Sequence, residues 1–130
     1  MFMDRRILST AGLFGMTAII LGAFGAHALK KLVTLEQLTT FETGIKYQMY
    51  HALFLLFLGI NNHLTPKTKK IILNFTIFGV IFFSGSIYLL ATNPLMSFDF
   101  KIIGFLTPIG GLLLILAWGT LIFNFVKKKS

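Results

Sequence analysis

Three histidines are the residues in this sequence best suited to acid–base chemistry or metal binding. Two of them, His27 and His51, lie beside long apolar tracts, where they could ligate a haem iron from neighbouring helices at similar depth. Cysteine is absent, which excludes disulfides, thiolate metal sites and a cysteine nucleophile. The chemistry open to this chain therefore rests on histidine, hydroxyl and amide groups, and haem binding is one candidate.

A small set of polar side chains interrupts or borders the apolar tracts and forms a candidate polar cluster. Polar groups inside a membrane usually face the protein interior, where they find hydrogen-bond partners, so we expect the cluster in the outer half of a helical bundle. Alternatively, the hydroxyl groups bond to nearby carbonyls and the histidines merely lie at the membrane surface. The members of the cluster are His27, Gln48, His51, Ser84, Ser86 and Thr107.

Enzyme chemistry has little support in the sequence. Ser86 and His51 could in principle form a nucleophile–base pair. However, the residue spacing shows no metal-ligand motif, nucleophile elbow or phosphate-binding loop. We therefore expect no enzymatic activity, and we assign no catalytic, cofactor-binding or metal-binding residue.

The elements that must position these residues are apolar helices. Apolar residues make up 55% of the 130-residue chain and charged residues only 12%, outside the usual range of soluble domains. About 20 apolar residues in a helix cross the hydrocarbon core of a bilayer. The tracts predict one all-α integral membrane domain, residues 1–130, with four transmembrane helices in an antiparallel bundle, at residues 7–28, 43–63, 71–91 and 102–126.

The second tract is the least uniform of the four. Residues 41–56, FETGIKYQMYHALFLL, begin polar and become wholly apolar, so this helix spans a membrane only if its polar turn lies at the headgroup layer. Tyr47 and Tyr50 suit that level, because tyrosine prefers the membrane–water boundary. In the fourth tract, Pro108 followed by two glycines predicts a kink or a loosened turn.

The basic residues predict the orientation of the chain. The two termini and the loop after the second tract together carry eight Lys and Arg residues, and the other two connections carry four. The positive-inside rule then places both termini of this multi-pass membrane protein in the cytoplasm. A net charge of +8 would suggest nucleic acid in a soluble protein. Here Lys and Arg lie at the ends of apolar tracts and anchor helices in the lipid bilayer, so we expect no nucleic-acid partner.

Small residues recur along the first tract at intervals of four and three residues. This spacing lays them on one helix face, where they let a neighbouring backbone approach closely. We interpret the face as a packing surface, and a contact between copies of the protein is the alternative. The residues are Ala11, Gly15, Ala18, Gly22 and Gly25.

The first tract also resembles a signal peptide. Charged residues precede it, and Ala26-His27-Ala28 at its end fits a cleavage site. Its 22 residues exceed the usual apolar core of a signal peptide, about 7 to 15 residues. We therefore predict that the tract remains in the protein as a helix.

Four motifs in order carry a resemblance to a known family. LGAFGAHALK (residues 21–30), FETGIKYQMYHALFLL (41–56), FSGSIYLLA (83–91) and FLTPIGGLLLILAW (105–118) resemble the small four-span membrane proteins filed as domain of unknown function four hundred and twenty-three. The resemblance covers nearly the whole chain. It implies a bacterial inner-membrane protein with four helices, no assigned activity and kinship with a eukaryotic transmembrane protein group. Family members more often have Gly where Ala28 stands and Arg where Lys46 stands, and they supply no catalytic residues to carry over.

Two classes of function remain open beside haem binding. The first is a non-catalytic accessory or packing subunit that associates with other membrane proteins or with copies of itself, consistent with short loops and a small-residue face. The second is transport, or binding of a lipid or other ligand, through the polar cluster. The apolar tracts contain no intramembrane carboxylate for a proton relay, which weakens the transport hypothesis.

Overall fold

The computed structural model describes residues 2–95 and 101–127, except for the side chains of Phe2, Lys101 and Ile102. This part of the chain is helical apart from short turns, as predicted. Short 3-10 turns lie at Leu29–Lys31, Asn93–Leu95 and Lys101–Phe105. The four long helices are α1, Phe2–His27; α2, Leu35–Ile60; α3, Pro66–Ala91; and α4, Leu106–Lys127.

Threonine caps fix where α2 and α3 begin. The Thr34 hydroxyl accepts from the backbone N–H of Gln37 at 3.1 Å, and the Gln37 side chain accepts from the N–H of Thr34 at 2.9 Å. This capping box starts α2 well before residue 43, where the predicted span began. The Thr65 hydroxyl caps α3 by accepting from the N–H of Thr68 at 3.1 Å, and Pro66 lies in the first turn, where its missing N–H breaks no hydrogen bond.

Successive helices run antiparallel. Lys69, near the start of α3, donates to Asp4 at the start of α1 and to the carbonyl of Asn61, just past the end of α2. The Thr68 hydroxyl donates to Asn124, near the end of α4, at 3.4 Å. The starts of α1 and α3 therefore meet the ends of α2 and α4 at one end of the molecule.

The helices form a flattened bundle with α2 and α3 in the middle. α1 packs mainly on α2, α4 packs mainly on α3, and within the described residues the backbones of α1 and α4 make no close contact. Only 17% of the apolar segment of α1 and 17% of that of α4 is buried, against 44% for α3. Two broad apolar faces therefore lie on the outside.

The apolar core is divided into two clusters. The larger lies toward the end where α1 begins, and the smaller lies toward the opposite end, around Leu29, Phe41 and Ala91. Polar side chains occupy the space between the two clusters. The larger cluster includes Ile7, Leu55, Leu58, Ile72, Leu73 and Ala117.

One distortion interrupts α3, and the predicted one in α4 is not observed. A π-helical turn, Ile81–Gly85, separates two α-helical parts of α3. Pro108 lies in the first turn of α4, so its missing N–H interrupts no helical bond. Gly110 instead permits a close crossing, since a Cβ atom there would lie 2.3 Å from the backbone nitrogen of Phe83 in the π-helical turn.

Three of the helices are long and apolar enough to cross a membrane. Among the described residues these are Met3–Lys31, which contains α1 except Phe2, then α3 itself, and Ile103–Lys127, which contains α4. α2 has sufficient length, since its 26 residues extend over about 39 Å. It falls short in apolar character because its first half carries polar residues.

Candidate functional site

Contacts between α1 and α2 fix the depth of the predicted cluster. Gln48 lies against Thr17, and a Cβ atom on Gly15 would lie 3.8 Å from Ala52. Thr17 is at the middle of the apolar run 7–28. Gln48 and His51 therefore lie at mid-depth, whereas the prediction placed them in the outer half of the bundle. The cause is the early start of α2, which adds more than two turns before Gln48.

Gln48 is the centre of a hydrogen-bond network that joins three helices. Its side chain is buried, and its Nε2 donates to the Phe14 carbonyl at 2.8 Å and to the Thr17 hydroxyl at 2.7 Å. Its Oε1 accepts from the Tyr88 hydroxyl at 2.7 Å. Thr17 in turn donates to the Leu13 carbonyl at 2.8 Å. Thr17, Gln48 and Tyr88, which we name the mid-depth network, thus connect α1, α2 and α3 without any charge.

Gly44 lets Tyr88 reach this network. A Cβ atom on Gly44 would lie 2.7 Å from the Tyr88 ring, so any larger residue would push the ring away. The Gly44 carbonyl also accepts a hydrogen bond from Ser84 at 2.7 Å. One glycine therefore serves two contacts between α2 and α3.

Ser86 and Thr107 form a separate pair between α3 and α4. Their hydroxyl oxygens are 2.5 Å apart, and Ser86 also donates to the Phe83 carbonyl at 3.1 Å. The structure therefore brings these two members of the predicted cluster together, but not into contact with Gln48 or His51.

His51 is held in one tautomer by its two neighbours. Its Nδ1 lies 2.7 Å from the Tyr47 carbonyl oxygen, which can only accept, so Nδ1 carries the hydrogen. The indole N–H of Trp118, which can only donate, lies 3.1 Å from Nε2. His51 is therefore a neutral imidazole with both nitrogens engaged, and Phe54 packs beside it on the Trp118 ring at a centroid distance of 4.2 Å.

His27 does not belong to the cluster. It is exposed at the end of α1, twelve residues from Gly15, or about 18 Å along the helix from the level of His51. Two axial ligands must reach the same iron atom, so the geometry contradicts haem binding by His27 and His51. The hypothetical Ser86–His51 pair also fails, because each side chain is bonded to other partners.

The small-residue face of α1 lies against α2 over most of its length. Ala11 and Ala18 are buried, Gly15 faces Ala52, and a Cβ atom on Gly25 would lie 3.4 Å from the Phe41 ring of α2. Gly22 departs from the prediction, since a Cβ atom there would meet nothing within 4 Å.

A second buried polar group lies at the end of the molecule where α1 begins. Lys69 is only 4% exposed, and its ammonium group lies 2.8 Å from a carboxylate oxygen of Asp4. It also donates to the Asn61 carbonyl, while the Asn61 side chain accepts from the backbone N–H of His63 at 2.7 Å. We name Asp4, Asn61 and Lys69 the end network. Its burial was not predicted, because Lys69 belongs to a lysine-rich turn that reads as an exposed loop.

Three partners of the predicted residues were also missed at the level of sequence. Thr17, Tyr88 and Trp118 supply hydrogen bonds to Gln48 and His51. A weak signal was present, because a tyrosine hydroxyl or an indole N–H usually needs a partner when it is buried. Within the part of the chain that the structure describes, no buried side-chain nitrogen or oxygen lacks a hydrogen-bond partner.

A lateral groove opens between α2, α3 and α4. It has a volume of about 470 Å³ and is mainly apolar, with His51 and Trp118 in its wall. Ile115 and Trp118 are 67% and 44% exposed, so the groove faces outward. Its other lining residues include Tyr47, Phe83, Gly111 and Leu114.

Comparison with known proteins identifies relatives along most of the chain. The model of the family described as "Protein of unknown function (DUF423)" matches residues 21–111. A UPF0382 membrane protein of Staphylococcus saprophyticus is 40% identical, covering 86% of this chain and 89% of the relative. One of Haemophilus influenzae is 31% identical, covering 98% and 99%.

A UPF0382 inner membrane protein of Escherichia coli is 30% identical, covering 97% of this chain and 93% of the relative. No solved structure matches. The matched region includes Gly25, Gly44, Gln48, Tyr88 and Gly110, which make contacts between helices. The chain therefore belongs to this family of membrane proteins of unknown function.

Proposed function

We propose that the protein spans the inner membrane four times with both termini in the cytoplasm, and that it is a non-catalytic accessory subunit of a membrane assembly. One observation carries the proposal. Within the described residues every buried side-chain nitrogen and oxygen has a hydrogen-bond partner in the fold, whereas the faces of α1 and α4 remain largely uncovered. Such an interior favours a protein that acts through its outer surface.

The position of α2 supports a fourth span. Its polar side chains Gln48 and His51 point to partners on the other helices and are nearly inaccessible. The mean hydropathy of α2 treats these two side chains as if they faced lipid. Their polar atoms are hydrogen-bonded inside the protein instead. α2 can therefore cross a bilayer between α1 and α3 despite its composition. The inner membrane is supported by the description of the Escherichia coli relative.

Orientation can be tested with single cysteines, since the chain has none of its own. Leu32, between α1 and α2, and Asn62, between α2 and α3, are both exposed. In intact cells, Leu32→Cys should react with a membrane-impermeant maleimide. Asn62→Cys should react only after the membrane is permeabilised. The reverse pattern would overturn the proposed orientation.

The accessory role can be tested by photo-crosslinking in cells. A photoreactive residue would replace Ile19 on α1 or Ile115 on α4, which are 65% and 67% exposed. At least one face should yield a discrete protein adduct of constant mass. The control is Leu35, which is 80% exposed but lies in the first turn of α2, away from both faces. Adducts with lipid alone at both faces would contradict the accessory role.

Binding of an apolar ligand is a second candidate, favoured by the lateral groove. Trp118 lines the groove and is the one tryptophan in the sequence, so its fluorescence reports on the occupant. A brominated fatty acid should quench it, and Gly111→Leu should reduce the quenching by filling the groove. Gly119→Leu is the control, because a Cβ atom there would meet no other part of the fold within 4 Å, and it should leave the quenching unchanged. Equal quenching in all three proteins would indicate general lipid contact.

A further inference from the structure

The two ends of the molecule differ strongly in charge. By sequence, the segments at the two termini and between α2 and α3 carry eight Lys and Arg residues and one acid, Asp4, while the rest of the chain carries four basic and three acidic residues. At the first end, five of the basic side chains are exposed in the structure. We name these the basic collar; they are Arg5, Arg6, Lys67, Lys70 and Lys127.

The fold draws the collar together from three helices. The Asp4–Lys69 ion pair joins the start of α1 to the start of α3 at 2.8 Å. Arg5 and Arg6 directly follow Asp4, and Lys67 and Lys70 lie on either side of Lys69. The hydrogen bond from Thr68 to Asn124 brings the end of α4 to the same place.

The ion pair also determines the charge that the collar presents. Asp4 is the one carboxylate side chain at this end, and Lys69 already pairs with it. The buried lysine therefore neutralises the acid and leaves the exposed basic residues without a competing carboxylate side chain among them. The remaining field is uniformly positive and lies where the apolar helices end.

We propose that the basic collar binds the phosphate groups of anionic phospholipids in the leaflet next to it. Guanidinium and ammonium groups are the usual phosphate ligands of proteins, and guanidinium binds with two parallel hydrogen bonds. Clusters of four to eight basic residues beside a transmembrane helix attract anionic lipids. The mixed charges of the opposite end give no such attraction. Lipid binding of this kind requires a membrane location but not the accessory role.

The test compares two variants that each lose four positive charges. The collar variant is R5Q/R6Q/K67Q/K70Q, and the control at the opposite end is K30Q/K31Q/K46Q/K101Q. Each protein is placed in nanodiscs of equal parts phosphatidylcholine and phosphatidylglycerol, and native mass spectrometry measures the retained lipids. Both leaflets have the same composition, so the orientation of the protein does not matter.

The parent should retain phosphatidylglycerol over phosphatidylcholine by about fivefold, as expected for several basic residues at a charged surface. The collar variant should fall to a ratio of about one, while the control should stay near the parent. This preference should weaken in roughly 0.5 M salt, because exposed charges are screened. No preference in the parent, or equal losses in the two variants, would overturn the proposal.

A folding defect can be separated from a loss of binding. The melting temperature of each variant in a neutral detergent shows whether the fold is intact. R5K/R6K keeps the charge and should retain most of the lipid preference, whereas K67Q/K70Q alone should lose part of it. A lipid preference that persists in K67Q/K70Q at the parent value, with the fold intact, would contradict a collar shared between α1 and α3.

Discussion

Two buried polar networks hold this bundle together, and they use different chemistry. The mid-depth network of Thr17, Gln48 and Tyr88 is neutral and joins α1, α2 and α3. The end network of Asp4, Asn61 and Lys69 joins the same three helices at their ends and contains a full ion pair. Similar connections are thus made with amide and hydroxyl groups in one region and with charges in the other.

Depth explains the difference. The Asp4 side chain is 32% exposed, so water still solvates part of the ion pair, although Lys69 is covered. Gln48, at mid-depth, is only 5% exposed, and removing a charge from water at such a site can cost more than its ion-pair partner returns. Neutral hydrogen bonds carry a much smaller desolvation cost. The comparison predicts that the end network depends on charge balance and the mid-depth network on the number of hydrogen bonds.

Among single substitutions in the two networks, Asp4→Ala should reduce stability the most. It leaves the buried ammonium group of Lys69 without its counter-ion, and removing one partner of a buried pair is strongly destabilising. Lys69→Met instead removes the lysine from beside Asp4, and water can reach the Asp4 carboxylate. Its melting temperature in detergent should therefore fall less than that of Asp4→Ala.

The double variant sharpens this prediction. Asp4→Ala with Lys69→Met removes both charges and should melt above Asp4→Ala alone. If the decreases in melting temperature caused by the two single substitutions simply add in the double variant, the ion pair is not what stabilises this end.

Gln48→Leu should have the next largest effect. It removes three interhelical hydrogen bonds, to Phe14, Thr17 and Tyr88. Such bonds average about 0.6 kcal/mol each in a membrane protein, so we expect a loss of about 2 kcal/mol in the free energy of unfolding. Met49→Leu, on the same turn, is the matched control and should be nearly neutral. A Gln48→Leu protein as stable as the control would show that the mid-depth network contributes nothing.

Tyr88→Phe should have the smallest effect. It removes one hydrogen bond to Gln48 while the ring still packs on Gly44, so the expected loss is about 0.6 kcal/mol. Tyr50→Phe, on an exposed face of α2, should change nothing. Reversible unfolding in mixed micelles measures both. A larger loss than that of Gln48→Leu would mean that Tyr88 has a second role beyond this network.

The helices themselves could be predicted because long apolar tracts leave few alternatives. Each predicted tract corresponds to one of the four long helices, and Pro94 lies in the turn just beyond the end of α3. The start of α2 was also readable, since Thr34 and Gln37 have the spacing of a capping box. Beginning the predicted membrane span at residue 43 placed the polar cluster too near the surface.

Other features depend on contacts between distant residues and leave little trace in a single sequence. Lys69 lies in a lysine-rich turn, and its burial depends on Asp4, sixty-five positions away. Gly110 follows a proline and suggests a flexible turn, but its role is to admit the backbone of Phe83. The packing of α1 and α4 on opposite sides of the central pair likewise depends on which surfaces meet.

His51 offers the most direct test of whether the interior polar side chains satisfy one another. Nitrogen-15 NMR of histidine-labelled protein in lipid can distinguish the tautomers of the imidazole. We predict a neutral His51 with the hydrogen on Nδ1, donated to the Tyr47 carbonyl, and with Nε2 accepting from Trp118. Trp118→Phe should shift the Nε2 resonance and leave Nδ1 protonated. A cationic His51, or one with its hydrogen on Nε2, would contradict this arrangement and indicate a histidine available to a ligand.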